Sequence, residues 1–200
     1  MNRTVMVGTV FICILGFAAT SMASESCEML FKGASSKLSK QDKQQICDKL
    51  GFSFSKNKEF VDETCGDLSP EVEVVDLNGD GVMEVFVNYG NSCTSGNTGR
   101  SITLFIKDAA GRYAENLGFP AIDYKRLPTK NKGFPDLMFG GPGFCQGVWQ
   151  WTGTKYDYKC SYEEEPGACV RKGVKKVCKQ SLTSIWPSVV KKKISRRSES

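Results

Sequence analysis

Nine residues in the first half of the chain hold the donors for one recognisable piece of chemistry. The segment Asp76-Leu77-Asn78-Gly79-Asp80-Gly81-Val82-Met83-Glu84 places oxygen-bearing side chains at relative positions 1, 3, 5 and 9, and glycine at position 6. Calcium takes about 6 to 8 hard oxygen ligands, and a tight loop that turns alternate side chains inward supplies them, with glycine permitting the turn. The expected ligands are the side chains of Asp76, Asn78, Asp80 and Glu84 and the carbonyl of Val82. Three carboxylates crowded into one loop repel each other unless a cation lies among them. The competing reading is a bare Asn-Gly-Asp-Gly turn, because these residue types favour turns for backbone reasons alone. An EF-hand sensor is not expected: position 12 is Val87 instead of a bidentate glutamate, and strand-forming residues flank the loop.

The same segment resembles the calcium loops of FG-GAP and VCBS-type repeats, in which a D-x-[DN]-x-D-G-x-x-[DE] loop joins two β-strands. The resemblance covers about residues 70–90. It implies a structural calcium ion held by Asp76, Asn78, Asp80 and Glu84 that braces a β-hairpin. Over residues 65–160 the loop, a glycine-rich Cys93 segment and a Trp149-Gln150-Trp151-Thr152-Gly153 hairpin are together similar, more loosely, to small bacterial periplasmic proteins. That second resemblance implies no activity.

Other catalytic chemistry is thinly supplied. The chain has no histidine, which removes Ser-His-Asp and Cys-His nucleophile activation. A carboxylate-pair glycosidase needs only two suitably spaced acids, and Glu115, Asp123 and Asp136 are the candidates. Neither glycine-rich stretch, Gly90 to Gly99 or Gly140 to Gly143, leads into a helix with a phosphate-loop lysine, so no nucleotide site is expected. Both read as surface loops pinned by Cys93 and Cys145, a form suited to protein recognition. Trp149 and Trp151 face Tyr156 and Tyr158 across the Thr152 to Lys155 turn. This ladder can stack on a sugar or a partner, but cross-strand aromatic pairs are ordinary hairpin core, and core is the expected role.

The amino terminus explains the cysteines. Arg3, the apolar run from Val5 to Ala19 and Ser21-Met22-Ala23 have the layout of a secretory signal with its cleavage site, expected over residues 1–23. The apolar run is shorter than the ~20 residues a membrane helix needs, so no transmembrane segment is expected after cleavage. Of nine cysteines, Cys13 lies in the signal. Cys27, Cys47, Cys65, Cys93, Cys145, Cys160, Cys169 and Cys178 remain, an even set that predicts a disulfide framework in an exported chain. The pairing is open, and without histidine or C-x-x-C spacing a zinc cluster is disfavoured. Periplasmic or secreted location follows.

Charge is unevenly divided. Residues 24–170 carry 16 basic and 21 acidic side chains, a net of −5, whereas residues 171–200 carry ten basic side chains against Glu199, a net of +9. The basic tail either docks on an anionic envelope surface or partner, or is a solubilising terminus that folds partly back on the acidic body. An exported protein rarely meets nucleic acid, so no nucleic-acid partner is expected.

These elements call for an α+β fold: amino-terminal helices, then an antiparallel β-meander, stapled by disulfides. The helical segment spans 24–69, with Ser39 capping a helix that Gly51 ends. The β domain with the calcium-like loop spans 70–160, with strands around Val72–Val74, Val85–Val87, Ile102–Ile106, Arg112–Tyr113, Leu137–Phe139, Val148–Trp151 and Tyr156–Lys159. Residues 161–200 form a cysteine-bearing loop and the basic tail, with one short helix over Ser181 to Val190 interrupted at Pro187. The expected function is non-enzymatic binding of a protein partner in the cell envelope, as an inhibitor or immunity-type protein acting through the Gly90–Arg100 and Gly140–Cys145 loops. The rivals are an enzyme acting on envelope polysaccharide and a structural envelope component.

Overall fold

The computed structural model describes residues 25–34, 37–55, 57 and 59–179. The signal over 1–23, the helix at Ser181 to Val190 and the end of the basic tail lie outside the described residues.

A helical turn over residues 25–30 precedes α1 (Lys40–Leu50). The sequence builds α1 from its ends: the Ser39 hydroxyl accepts from the Asp42 N–H while Asp42 accepts from the Ser39 N–H, and Gly51 closes the helix with a left-handed φ of 60°. Ile46 is fully buried, and the Cys27–Cys47 disulfide ties the preceding turn to the helix. Three contacts seat it on the main sheet. Lys107 pairs with Asp42 at 2.9 Å, the Tyr113 N–H donates to Gln45 at 2.8 Å, and Phe31, Leu38 and Ile46 share a core with Val85, Val87 and Phe105.

The remainder is antiparallel sheet. Short strands β1 (Ser53–Phe54), β2 (Phe60–Asp62) and β3 (Gly66–Asp67) form a small sheet. Next come β4 (Glu71–Val75), β5 (Glu84–Tyr89), β6 (Ser101–Lys107) and β7 (Tyr113–Pro120), then β8 (Asp123–Asn131), β9 (Phe134–Gly140), β10 (Cys145–Trp151) and β11 (Tyr156–Glu163), two four-stranded sheets in strict chain order. Every pair within them is antiparallel between chain neighbours. The short helices α2 (Ser92–Ser95) and α3 (Ala168–Arg171) decorate loops.

Alternation along the strands places the layers. Phe86, Ile102, Leu104, Ile106 and Leu117 of the first sheet meet Phe134, Leu137, Phe139, Trp151 and Tyr156 of the second in the central core. The opposite side chains of β5 and β6 (Val85, Val87, Phe105) face α1. The outer face of the second sheet buries Leu127, Met138, Val148, Cys160 and Tyr162. Burying one such large apolar side chain contributes about 1.5–3 kcal/mol, so sheets covered on both faces provide most of the stability.

Three expectations change. The 24–69 segment is helical only in part, since it also forms β1, β2 and β3. The meander is split into two stacked sheets. The Cys160–Cys178 stretch is partly regular, because β11 runs through to Glu163 and α3 follows. Strand β8 escapes detection because only Leu127 along it is buried, and Pro128 falls where pairing with β9 shifts register. An edge strand of this kind carries no period-two apolar signal. Among the described residues no helix is long and apolar enough to cross a membrane.

Candidate functional site

In a meander successive turns alternate between two ends, so each end gathers loops from distant parts of the sequence. One end carries the β4–β5, β6–β7, β8–β9 and β10–β11 turns. The other carries the β5–β6, β7–β8 and β9–β10 connections.

The Asp76–Glu84 segment is the β4–β5 connection, and Val75 pairs with Glu84 where it closes. Gly79 and Gly81 both take φ of 84°, a conformation that side chains disfavour. Asp76 organises the loop: one carboxylate oxygen accepts from the Gly79 and Asp80 N–H groups, and the other from Gly81 at 2.9 Å. The Gly81 bond leads these contacts in holding the Asp76 carboxyl below the usual range, with partial desolvation opposing. Asp80 accepts from Val82 N–H at 2.7 Å and from the Asn78 amide at 2.8 Å, and Asn78 accepts in turn from Asp80 N–H.

Glu84 differs from the other three. It is 1 % exposed, and it accepts the Leu77 N–H at 2.7 Å. Burial raises its carboxyl to about 7; the Leu77 bond opposes this, and repulsion from Asp80 and Asp76 adds to it. The loop thus brings Asp76, Asp80 and Glu84 within electrostatic reach of one another.

The donor set fits a hard cation. A carboxylate oxygen has two acceptor sites; one Asp76 oxygen, both Asp80 oxygens and the Asn78 carbonyl each accept a single bond in the loop, leaving acceptor capacity. With Glu84 and the Val82 carbonyl this is an all-oxygen set of the kind calcium takes. Among the described residues no group of three or more histidine, cysteine, aspartate or glutamate side chains forms a metal cluster by proximity.

The opposite end unites the two glycine-rich loops. The β7–β8 connection joins them: Ala121 N–H donates to the Arg100 carbonyl at 3.0 Å, and Ile122 N–H to the Gly140 carbonyl at 2.9 Å. The Gly90–Arg100 loop is fixed by the Cys65–Cys93 disulfide and by Asn91, whose amide donates to the Cys65 and Asp67 carbonyls. Arg100 donates to Asn88 and to the Ser69 carbonyl and pairs with Glu71 at 3.2 Å. The Gly140–Cys145 loop is fixed by Cys145–Cys169, by buried Gln146 bridging Gly141 and Gly143, and by Lys172 donating to the Pro142 carbonyl.

Beside the Gly140–Cys145 loop lies a cleft of about 230 Å³ lined by Ile122, Asp123, Lys125, Met138, Gln146 and Glu164. Ile122 is 48 % exposed and Phe144 43 %. A Cβ at Gly140 would meet the Asp123 carboxylate, which would have to turn aside. Sequence reasoning found both loops but missed Ile122, Phe144, Glu164 and the cleft. The available signal was Ile122, an apolar residue in a connection between strands.

The remaining candidates separate. Asp123 lines the cleft, while Asp136 is 1 % exposed and accepts from Thr129, Gln150 and Lys159, the last at 2.7 Å. Glu115 lies on β7, beside Gly118. Trp151 and Tyr156 are buried core, and Trp149 stacks on Phe119 at 5.1 Å; only Tyr158 of the ladder is well exposed, at 43 %. All eight cysteines pair: Cys27–Cys47, Cys65–Cys93, Cys145–Cys169 and Cys160–Cys178. Such a framework suits an oxidising, exported environment. Comparison of the chain with protein-family models, curated proteins and solved structures finds no match.

Proposed function

We propose that the protein is an exported, non-enzymatic binding module of the periplasm or extracellular space. In this reading it presents the Gly90–Arg100 and Gly140–Cys145 loops to a protein partner in the envelope, as an inhibitor or immunity-type protein does. Calcium held by Asp76, Asn78, Asp80, Val82 and Glu84 braces the far end of the same sheets. The supporting observation is the convergence of the two loops on the Ala121–Ile122 connection, each fixed by its own disulfide, around exposed Ile122 and Phe144. Rigid loops lose little entropy on docking, and exposed apolar side chains at their centre supply contact area.

The test is a photo-cross-linking residue placed at Ile122, at Phe144 and, as a control on the calcium-loop end, at Val82. One common adduct from the first two positions and none from Val82 is expected. The purified partner should then lose binding to Ile122→Asp. Adducts that differ between Ile122 and Phe144, or binding indifferent to Ile122→Asp, would remove the reading. The placement of Asp123 and Glu164 in one cleft favours the second reading, action on envelope polysaccharide; glycan cleavage abolished by Asp123→Asn would establish it.

A further inference from the structure

We propose that the cleft lined by Asp123 and Glu164 is the docking site of the chain's own basic segment, Lys191-Lys192-Lys193-Ile194-Ser195-Arg196-Arg197. One cationic side chain of that segment meets the two carboxylates, and Ile122 and Met138 cover its methylenes. The proposal goes beyond partner binding and does not depend on it.

Four observations carry it. The cleft lining holds two acids and one base, Lys125, and among the described residues neither Asp123 nor Glu164 enters a side-chain hydrogen bond or ion pair. The body behind the cleft carries the net −5, and residues 191–197 supply five of the chain's cations. The chain also leaves the fold in the right direction. Val177 bridges Ser161 in parallel, Cys178 N–H donates to the Ser161 carbonyl, and Cys160–Cys178 locks the register. Because the bridge is parallel, the backbone at Cys178 and Lys179 runs as β11 does, toward Glu163, Glu164 and the cleft end. Glu164 is only about 10 Å further along at strand rise. The tether suffices too: the twelve residue-to-residue steps from Lys179 to Lys191 reach up to roughly 40 Å.

A tethered contact forms at an effective concentration of about millimolar, so docking too weak to hold separate molecules together is populated within one chain. Long lysine and arginine stems cover apolar surface while their heads stay at polar groups, which matches a cleft lined by Ile122 and Met138 together with Asp123 and Glu164. The docked segment occupies the face that carries Ile122, so a basic partner must displace it, and added salt weakens both contacts.

The test uses the full mature protein, dilute and monomeric, treated with a water-soluble carbodiimide. The reagent activates a carboxylate, a neighbouring lysine amine displaces the urea, and an amide forms with net loss of one water. Peptide mapping should place Lys191–Lys193 couplings on Asp123 or Glu164 at about tenfold the yield found at exposed Asp108 and Glu115, the advantage expected of two weak ion pairs. High salt should erase the difference. In Asp123→Asn/Glu164→Gln, trypsin should release the tail several-fold faster than in the wild type while the melting temperature is unchanged. Couplings spread evenly over all exposed acids, couplings found only in covalent dimers, or a tryptic rate unaffected by the double substitution would overturn the proposal.

Discussion

Glu84 lends itself to a quantitative test because it is a buried carboxylate with carboxylate neighbours. Its folded value of about 7 stands against an ordinary 4.5. Burial is the main cause, with Asp80 and Asp76 adding repulsion and the Leu77 N–H opposing. The folded protein therefore keeps a proton at Glu84 that the unfolded chain releases. Between those two values the folded state binds more protons, so stability falls as pH rises, by about 1.4 kcal/mol per pH unit. The full loss is about 3 kcal/mol, complete above pH ~8, or roughly 6–12 °C in melting temperature for a domain of this size. Asp42, Asp76 and Asp108 behave oppositely, since their folded values are lowered. Their contributions are present above the ordinary 3.8 and lost only as pH falls below it, so the two windows separate. Urea unfolding in chelator at about pH 5 and about pH 7.5 measures the effect. The wild type should lose about 2 kcal/mol across this interval, while Glu84→Gln should stay nearly flat. Excess calcium should abolish the loss by holding Glu84 ionised. Parallel pH profiles for wild type and Glu84→Gln would refute the assignment of the raised carboxyl.

Three further outcomes are expected. Calcium at a hundredfold excess over its dissociation constant should stabilise the oxidised protein by about 2.7 kcal/mol, an increment that Asp80→Ala removes; equal melting in calcium and chelator would reduce the loop to a turn. Asp136→Ala should cost about 2–4 kcal/mol by denaturant unfolding, because it strips Thr129, Gln150 and Lys159 of a shared acceptor. Leu104→Ala, at a fully buried site in the central core, should cost about 2.7–5 kcal/mol, whereas loss of binding or docking should leave stability untouched.

Local signals made part of this molecule legible. The Ser39–Asp42 cap and Gly51 set α1 to within a residue, since capping is decided by side chains three positions apart. The Asp108–Gly111 and Thr152–Lys155 turns close hairpins through bonds within their own few residues. The aspartates and glycines of residues 76–84 form a tight loop between two strands because each Asx side chain bonds backbone only two to five residues away.

Tertiary structure decided the rest, because those contacts lie far apart in sequence. Strands Val85–Val87 and Ile102–Ile106 read as extended from their own alternation, but the division into two stacked sheets depends on Phe86, Leu104, Leu137 and Tyr156 finding one shared core. The even cysteine number predicted bonds, while the choice among pairings waited on which strands became neighbours. Asp123, Asp136 and Glu115 were indistinguishable as isolated acids. Packing made one a cleft residue, buried another against Lys159 and left the third on β7. The cleft itself exists only because an antiparallel meander returns residues 122–125, 138–146 and Glu164 to one end. Short-range hydrogen bonding is written in adjacent residues, whereas burial and cross-sheet electrostatics arise only once distant segments share the same space.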